Sequence, residues 1–273
     1  MTGELAASYK SNSQRARVVT ESWGEHNLYC PNCSSPQLSR LSHNTAAADF
    51  SCPKCKFSFQ LKGQKSPIGN SITDGAYEAM MRAIRNDSAP SYYFMHYDVA
   101  TWTIRNLLLI PHFAFPPSAI IKRPPLAATA RRAGWVGCNF ALNRIPADAR
   151  IPIVTTIKPS PNAGGTECIM VTSPEHVREK FRQVKKLKDV PQRGWVLDVL
   201  NIVRRITDGA QRTARPTLDG PTFTNAEVYA FERELEKLHP GNRHIRDKIR
   251  QQLQVLRDTG FLTQPERGLW RVK

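Results

Sequence analysis

Apolar and polar positions alternate most cleanly just after Cys55. Phe57, Phe59 and Leu61 interleave with Ser58, Gln60 and Lys62, the period of two that marks a strand with one face in a core. Tyr93–Tyr97 and Thr103–Ile110 are rich in aromatic and branched residues and bounded by Pro90 and Pro111, which predicts two more strands. Ile151–Thr156 is a further short strand candidate. Residues 10–24 read as a helix that stops at Gly24, and Asp74–Arg85 as a second helix. Residues 111–150 carry several prolines and little periodicity, the mark of a loop-rich stretch that serves function more than packing. Pro159–Gly165 is a turn-rich break and Val184–Arg193 a basic, polar connector, and a domain boundary is placed there. Beyond it the pattern predicts helices over Trp195–Ile206, Asn225–Leu238 and Arg243–Asp258, followed by a short terminal hairpin.

Charge sharpens this picture. In 273 residues, 40% of them hydrophobic, Lys and Arg number 39 against 23 Asp and Glu, a formal charge of +16. Such a surplus favours a polyanion, because each phosphate neutralised releases condensed counterions. A ribosome-associated protein or a merely basic enzyme would share it. No apolar run approaches the roughly 20 residues that span a bilayer, and the N-terminus lacks the layout of a signal peptide. The expectation is a cytoplasmic, bacterial-type protein with no membrane and no obvious protein partner. Six cysteines in a reducing compartment then read as metal ligands or buried thiols.

Four of them form two Cys-x-x-Cys pairs, Cys30/Cys33 and Cys52/Cys55, with 18 residues between the pairs. Two residues between sulfurs let one tight turn aim both thiolates at a tetrahedral ion, and Pro31 and Pro53 stiffen the turns. The pattern predicts a structural zinc site with no open coordination position. Cys138 and Cys168 have no comparable partners and are expected to be buried thiols.

Asp49 precedes the second pair, and Gln60 and Lys62 project from one face of the strand that follows it. If residues 46–51 pair antiparallel to that strand, Asp49 joins them. The constellation Asp-x10-Gln-x-Lys is close to a PD-(D/E)xK nuclease motif, with Ala48 in the proline position and Gln60 in that of the second acid. Asp49 would hold Mg²⁺ with Gln60 as a neutral oxygen ligand. Lys62 would orient the attacking water and offset charge on phosphorus, and Glu21 would be an additional ligand. On spacing alone the same residues could be a solvated strand face.

Longer stretches change that balance. Residues 9–20 (YKSNSQRARVVT), 29–33 (YCPNC), 48–50 (ADF), 74–77 (DGAY), 123–138 (RPPLAATARRAGWVGC) and 244–258 (HIRDKIRQQLQVLRD) together resemble the DpnI-type methyl-directed restriction endonucleases. The resemblance covers nearly the whole chain in one order, with a poor stretch at 157–192 that suits a linker. It implies an α+β or α/β PD-(D/E)xK nuclease core with an embedded four-cysteine zinc site over residues 1–190, then a winged-helix domain over 191–273. It also implies structural zinc, catalytic Mg²⁺, and double-stranded DNA carrying methylated adenine as the partner. Asp49 and Lys62 match the family's catalytic positions. Gln60 stands where a glutamate is expected, a variation that Mrr-like branches of the same superfamily carry.

Two groups of residues are candidates for reading DNA. Arg123, Arg131 and Arg132 share a loop-rich stretch with Trp135; arginine grips phosphate or guanine, and a tryptophan face contacts an added methyl group. The resemblance makes Trp135 a methyl sensor. A buried Trp135 with solvated arginines is the alternative from composition. In the last helix Ile245, Ile249, Leu253 and Leu256 step by 4, 4 and 3, one apolar stripe. Arg243, Arg246, Arg250, Gln251, Gln254 and Arg257 fall outside it, a set suited to the major groove. Thr224 and Glu227 form a capping-box signature, and Gly260, Phe261 and Arg267–Trp270 would supply a wing. The chain thus reads as a Mg²⁺-dependent type II restriction endonuclease for an adenine-methylated GATC-like site. An inactive methyl-adenine reader that lost cleavage through Gln60, and a regulator using only the winged helix, are the rivals.

Overall fold

The computed structural model describes residues 1–42, 45, 47–157, 166–211 and 220–273. Ala46, which begins the expected pairing segment, and the turn-rich break at Pro159–Gly165 lie outside the described residues.

Helix α1 spans Asn12–Asn27 and runs through Gly24, where the sequence predicted its end. Glycine is needed there for packing, since a Cβ would fall 2.7 Å from the Phe50 ring. Strands β1 (Ser39–Arg40), β2 (Phe50–Ser51) and β3 (Ser58–Gln64) follow, then β4 (Ser71–Ala76) and α2 (Tyr77–Arg85). Asp74 therefore lies in a strand and not in the helix predicted over 74–85. It pairs with Cys138, more than sixty residues away, and the register shifts beside it between Asp74 and Ala76. The chain turns helical only after that bulge, with Tyr77 N–H donating to the Val136 carbonyl at 3.1 Å.

Next come β5 (Ser91–Tyr97) and β6 (Ile104–Ile110), near their predicted bounds. Within the stretch expected to be loop-rich, proline-led turns frame two further strands, β7 (Ile120–Lys122) and β8 (Gly137–Ala141). Strands β9 (Ile151–Ile157) and β10 (Cys168–Val171) complete a seven-stranded sheet of order β1-β2-β3-β5-β6-β9-β10. Its β3–β5 pair is parallel, and parallel neighbours need a long crossover. Strand β4 and α2 supply that crossover, and β4 joins β8 and β7 in a second sheet. Strand β5 is buried on both faces, as the run of aromatic and apolar residues from Tyr92 to Met95 requires. Phe59 packs on Tyr93 at 5.6 Å on one side, while Tyr92 packs on Phe140 at 4.9 Å on the other.

Helix α3 (Pro174–Lys185) belongs to the first core, which ends at Val184; a second apolar cluster begins at Leu187. The second cluster gathers α4 (Arg193–Gln211), β11 (Thr222–Thr224), α5 (Asn225–Tyr229), α6 (Glu232–Leu238), α7 (Ile245–Asp258), β12 (Leu262–Glu266) and β13 (Leu269–Val272). The single helix predicted over 225–238 is thus two. Phe231, between them, leaves helical geometry and lies under the Arg205 guanidinium at 4.9 Å. The apolar stripe of α7 is buried as its spacing demands, with Ile249, Leu253 and Leu256 fully covered. Thr224 and Glu227 make the reciprocal capping box, and β11, β13 and β12 form a three-stranded antiparallel sheet.

Helix α4 joins the two cores. Its buried Asp198 accepts from the Ser118 hydroxyl at 2.6 Å and meets His239 Nε2 at 2.8 Å. Arg204 grips Asp148 with two nitrogens. Among the described residues no helix is long and apolar enough to cross a membrane.

Candidate functional site

The two cysteine pairs converge, with all four sulfurs within 4.8 Å of one another. Cys30 to Cys55 and Cys33 to Cys52 are each 3.5 Å. A tetrahedral ion about 2.3 Å from each sulfur separates them by about 3.8 Å, so the set could hold zinc. Backbone N–H groups point at the sulfurs, from Ser35 to Cys33 at 3.5 Å and from Cys55 to Cys52 at 3.4 Å. Burial pulls the Cys52 thiol up, but the N–H groups of Cys55 and Lys54 and the adjacent thiols pull harder and bring it to about 6. Arg178 on α3 clamps the first turn, its Nε donating to the carbonyls of Cys30 at 3.1 Å and Cys33 at 3.0 Å. Cys138 is buried as expected; Cys168 is exposed, because it opens the edge strand β10.

The knuckle sets the register of the strands beside it. Phe50 pairs with Phe59 and Ser51 with Ser58, so both phenylalanines enter the core and the preceding Asp49 closes the pairing beside Phe59 and Leu61. Asp49 is held by its backbone from two sides, accepting from Leu41 N–H at 2.8 Å and donating to the Phe59 carbonyl at 2.9 Å. One carboxylate oxygen accepts from Leu61 N–H at 2.9 Å. Burial raises the Asp49 carboxyl above its ordinary value; the Leu61 N–H works against this, nearby Glu21 adds to it, and Arg17 and Lys62 oppose it.

Gln60 and Lys62 alternate onto the face away from Phe59 and Leu61, as their period predicts. Lys62 Nζ forms an ion pair with Asp74 on β4 and lies 5.9 Å from the Tyr92 ring centre. Asp74 was not among the residues singled out from sequence, because reading 74–85 as one helix hid its strand position. The alternation of buried Ile72 with exposed Ser71 and Thr73 was the signal available. Glu21 on α1 is buried, and Arg17 at 2.5 Å and Arg40 at 2.6 Å engage its two oxygens; as a metal ligand it would have to give up one of them. A cleft of about 600 Å³ opens beside these groups, lined by Arg17, Thr20, Glu21, Lys62, Gly63 and Thr73. Gly63 lets α1 approach, since a Cβ there would meet the Thr20 methyl at 3.1 Å.

The loop from Leu126 to Trp135 closes on itself through Leu126 N–H to the Trp135 carbonyl at 2.9 Å and Gly134 N–H to the Leu126 carbonyl at 3.0 Å. Arg131 and Arg132 are exposed on it and Trp135 is half-buried. The Arg132 guanidinium covers the Trp135 ring at 4.6 Å. Arg123 lies near the strand face: burial raises the Cys138 thiol to about 11, Asp74 adds to the rise, and Lys62 and Arg123 oppose it. On α7, Arg246, Arg250, Gln251 and Gln254 are exposed, as is Arg243, which precedes the helix that the sequence predicted it to begin. Arg246 meets Glu232 at 2.8 Å, Arg250 pairs with Asp247, and Gln251 accepts from Lys248 at 2.6 Å.

Two families of known proteins match this chain in succession. The DpnI, Dam-replacing family matches residues 1–190, and the Dam-replacing HTH domain matches residues 191–272.

Proposed function

The chain belongs to the DpnI, Dam-replacing family, and from that membership we propose that it is a methyl-directed restriction endonuclease hydrolysing phosphodiester bonds of double-stranded DNA at an adenine-methylated GATC-like site. Residues 1–190 would form the PD-(D/E)xK cutting unit with zinc in the four-cysteine knuckle, and residues 191–273 a winged-helix reading unit. The observation that supports the reading best is the hydrogen bond from Leu61 N–H to the Asp49 carboxylate at 2.9 Å, which holds Asp49 against the strand that carries Gln60 and, beside the cleft, Lys62.

The donor set suits a hard divalent cation: a carboxylate oxygen of Asp49, the amide oxygen of Gln60, and a buried Asp74 oxygen without a hydrogen-bond partner among the described residues. Bound there, Mg²⁺ would supply Lewis-acid polarisation of the phosphoryl oxygen. Lys62 orients the attacking water and offsets negative charge on phosphorus. Arg17, at the cleft mouth, is a positive group for the DNA backbone. Trp135 offers a ring face to the methyl group, and the exposed α7 side chains enter the major groove.

The test is plasmid DNA grown with and without adenine methylation, incubated with the zinc-loaded protein and Mg²⁺. Only the methylated plasmid is expected to be cut; equal cutting of both would remove the methyl requirement. Gln60 favours one second reading, a methyl-adenine reader that no longer cuts. It predicts tight binding of methylated duplex in Ca²⁺ and an intact plasmid in every divalent metal.

A further inference from the structure

A glutamine at position 60 takes one negative charge away from a cation site that otherwise rests on Asp49. A second carboxylate stands nearby on another sheet. The Asp74 side chain is only 5% exposed, one oxygen faces Lys62, and the other is buried with no hydrogen-bond partner among the described residues. A counter-ion for a half-buried lysine has no need to hide an idle oxygen as well, because burying an unsatisfied carboxylate oxygen is unfavourable.

The surroundings of that oxygen follow from the sheet. Gln60 stands beside Tyr92 in the parallel register, and the Lys62 ammonium lies near the Tyr92 ring. Burial raises the Tyr92 hydroxyl well above its ordinary value, and both Asp74 and Asp49 contribute to the rise. Gln60, Lys62 and Asp74 therefore share the Tyr92 side of the sheet, and Asp49 is near enough for its charge to be felt there. Strand pairing to Cys138 fixes Asp74 there, and the register shifts just beyond it before pairing resumes at Ala76.

Resting on the nuclease reading above, we infer that Asp74 is a direct ligand of the divalent cation and supplies the second negative charge in place of Gln60. Two carboxylates then match a divalent charge, and Gln60 adds a neutral oxygen. Lys62 is the resting counter-ion of Asp74. Once the cation takes over that charge, the ammonium is available to water and phosphate.

Mn²⁺ is the probe, titrated into the zinc-loaded full-length protein without DNA and followed by the loss of the free-ion electron paramagnetic resonance signal. Asp74→Asn is expected to weaken Mn²⁺ binding by about tenfold or more with zinc content and circular dichroism unchanged. Gln60→Glu added to it should recover most of the loss. Gln60→Glu alone should change the affinity by less than about threefold, since the second acid is already present. Unchanged affinity in Asp74→Asn would overturn the inference. So would a gain of about tenfold in Gln60→Glu alone, which reads the same question in a chain that keeps the Lys62–Asp74 pair. Wild-type protein that binds no Mn²⁺ would instead remove the metal-dependent nuclease reading itself.

Discussion

Asp49 commits one carboxylate oxygen to the backbone N–H of Leu61 at 2.9 Å, a bond that holds it against the strand carrying Gln60 and Lys62. The bond is a scaffold interaction, and an amide oxygen could accept it equally well. Asp49→Asn should therefore keep the register of β2 on β3 while removing the charge. Cleavage of methylated duplex is expected to fall by about a hundredfold or more, with binding in Ca²⁺ buffer held within about threefold. Single-turnover cleavage and equilibrium binding measure the two. A variant that cuts at the wild-type rate would exclude Asp49 from the chemistry.

Asp49, Gln60 and Lys62 were legible because their logic is local: a period of two fixes a strand face, and the flanking cysteine pairs fix the turn before it. The stripe and capping box of the C-terminal helices were legible for the same reason. Asp74 and Gly24 were not, because each is set by a distant partner. Asp74 takes a strand conformation from Cys138, and Gly24 is a packing glycine inside the helix, since the Phe50 ring leaves no room for a side chain. Both rest on tertiary contacts that override local propensity.

Arg178 ties the knuckle to α3 by donating to the carbonyls of Cys30, Cys33 and Ser35 while its guanidinium covers the Tyr29 ring at 5.2 Å. Arg178→Ala would remove this donor from the Cys30 and Cys33 carbonyls, while the Ser35 carbonyl keeps the Cys30 N–H. An expected loss of about 1–3 kcal/mol in urea unfolding follows, with zinc content unchanged by metal analysis. Cys52→Ser should behave differently, losing the metal and with it the fold of the knuckle. If Arg178→Ala releases zinc as readily as Cys52→Ser, the arginine is part of the metal site's assembly and not a clamp on its outside.

The Trp135 ring is confined between Arg132 and Gly137, where an added Cβ would fall 2.8 Å from the ring edge. Gly137→Ala must therefore move the ring. Burying one methyl group contributes on the order of 1 kcal/mol, about fivefold in affinity. Trp135→Ala and Gly137→Ala should each reduce the preference for methylated over unmethylated duplex by about that factor. Fluorescence-anisotropy binding to the two duplexes checks this, and an undiminished ratio in Trp135→Ala would place methyl recognition elsewhere.

His112 supplies a pH dependence at the junction of the two cores. Its ring is packed beside Phe57 at 5.5 Å and Phe113 at 5.0 Å, with Ser91 at 3.2 Å on Nδ1 and Asp87 at 3.7 Å on Nε2. Burial lowers the imidazole from 6.5 to about 4; Asp87 opposes this, and Lys188 and Arg193 reinforce it. Arg193, the first residue of α4, and Lys188, just before that helix, meet the same Asp87 at 3.0 and 3.7 Å. Because the folded value lies below the unfolded one, the unfolded chain binds the proton first as pH falls. The contribution of neutral His112 is complete above pH 6.5 and is lost progressively from there down to about 4. At pH 5 the loss is about 2 kcal/mol relative to pH 7. His112→Gln, which cannot titrate, should lose correspondingly less stability between those two pH values. Urea unfolding of both proteins at pH 7 and pH 5 isolates this difference from the other titrating groups, and parallel losses would show that His112 titrates alike in the folded and unfolded chains.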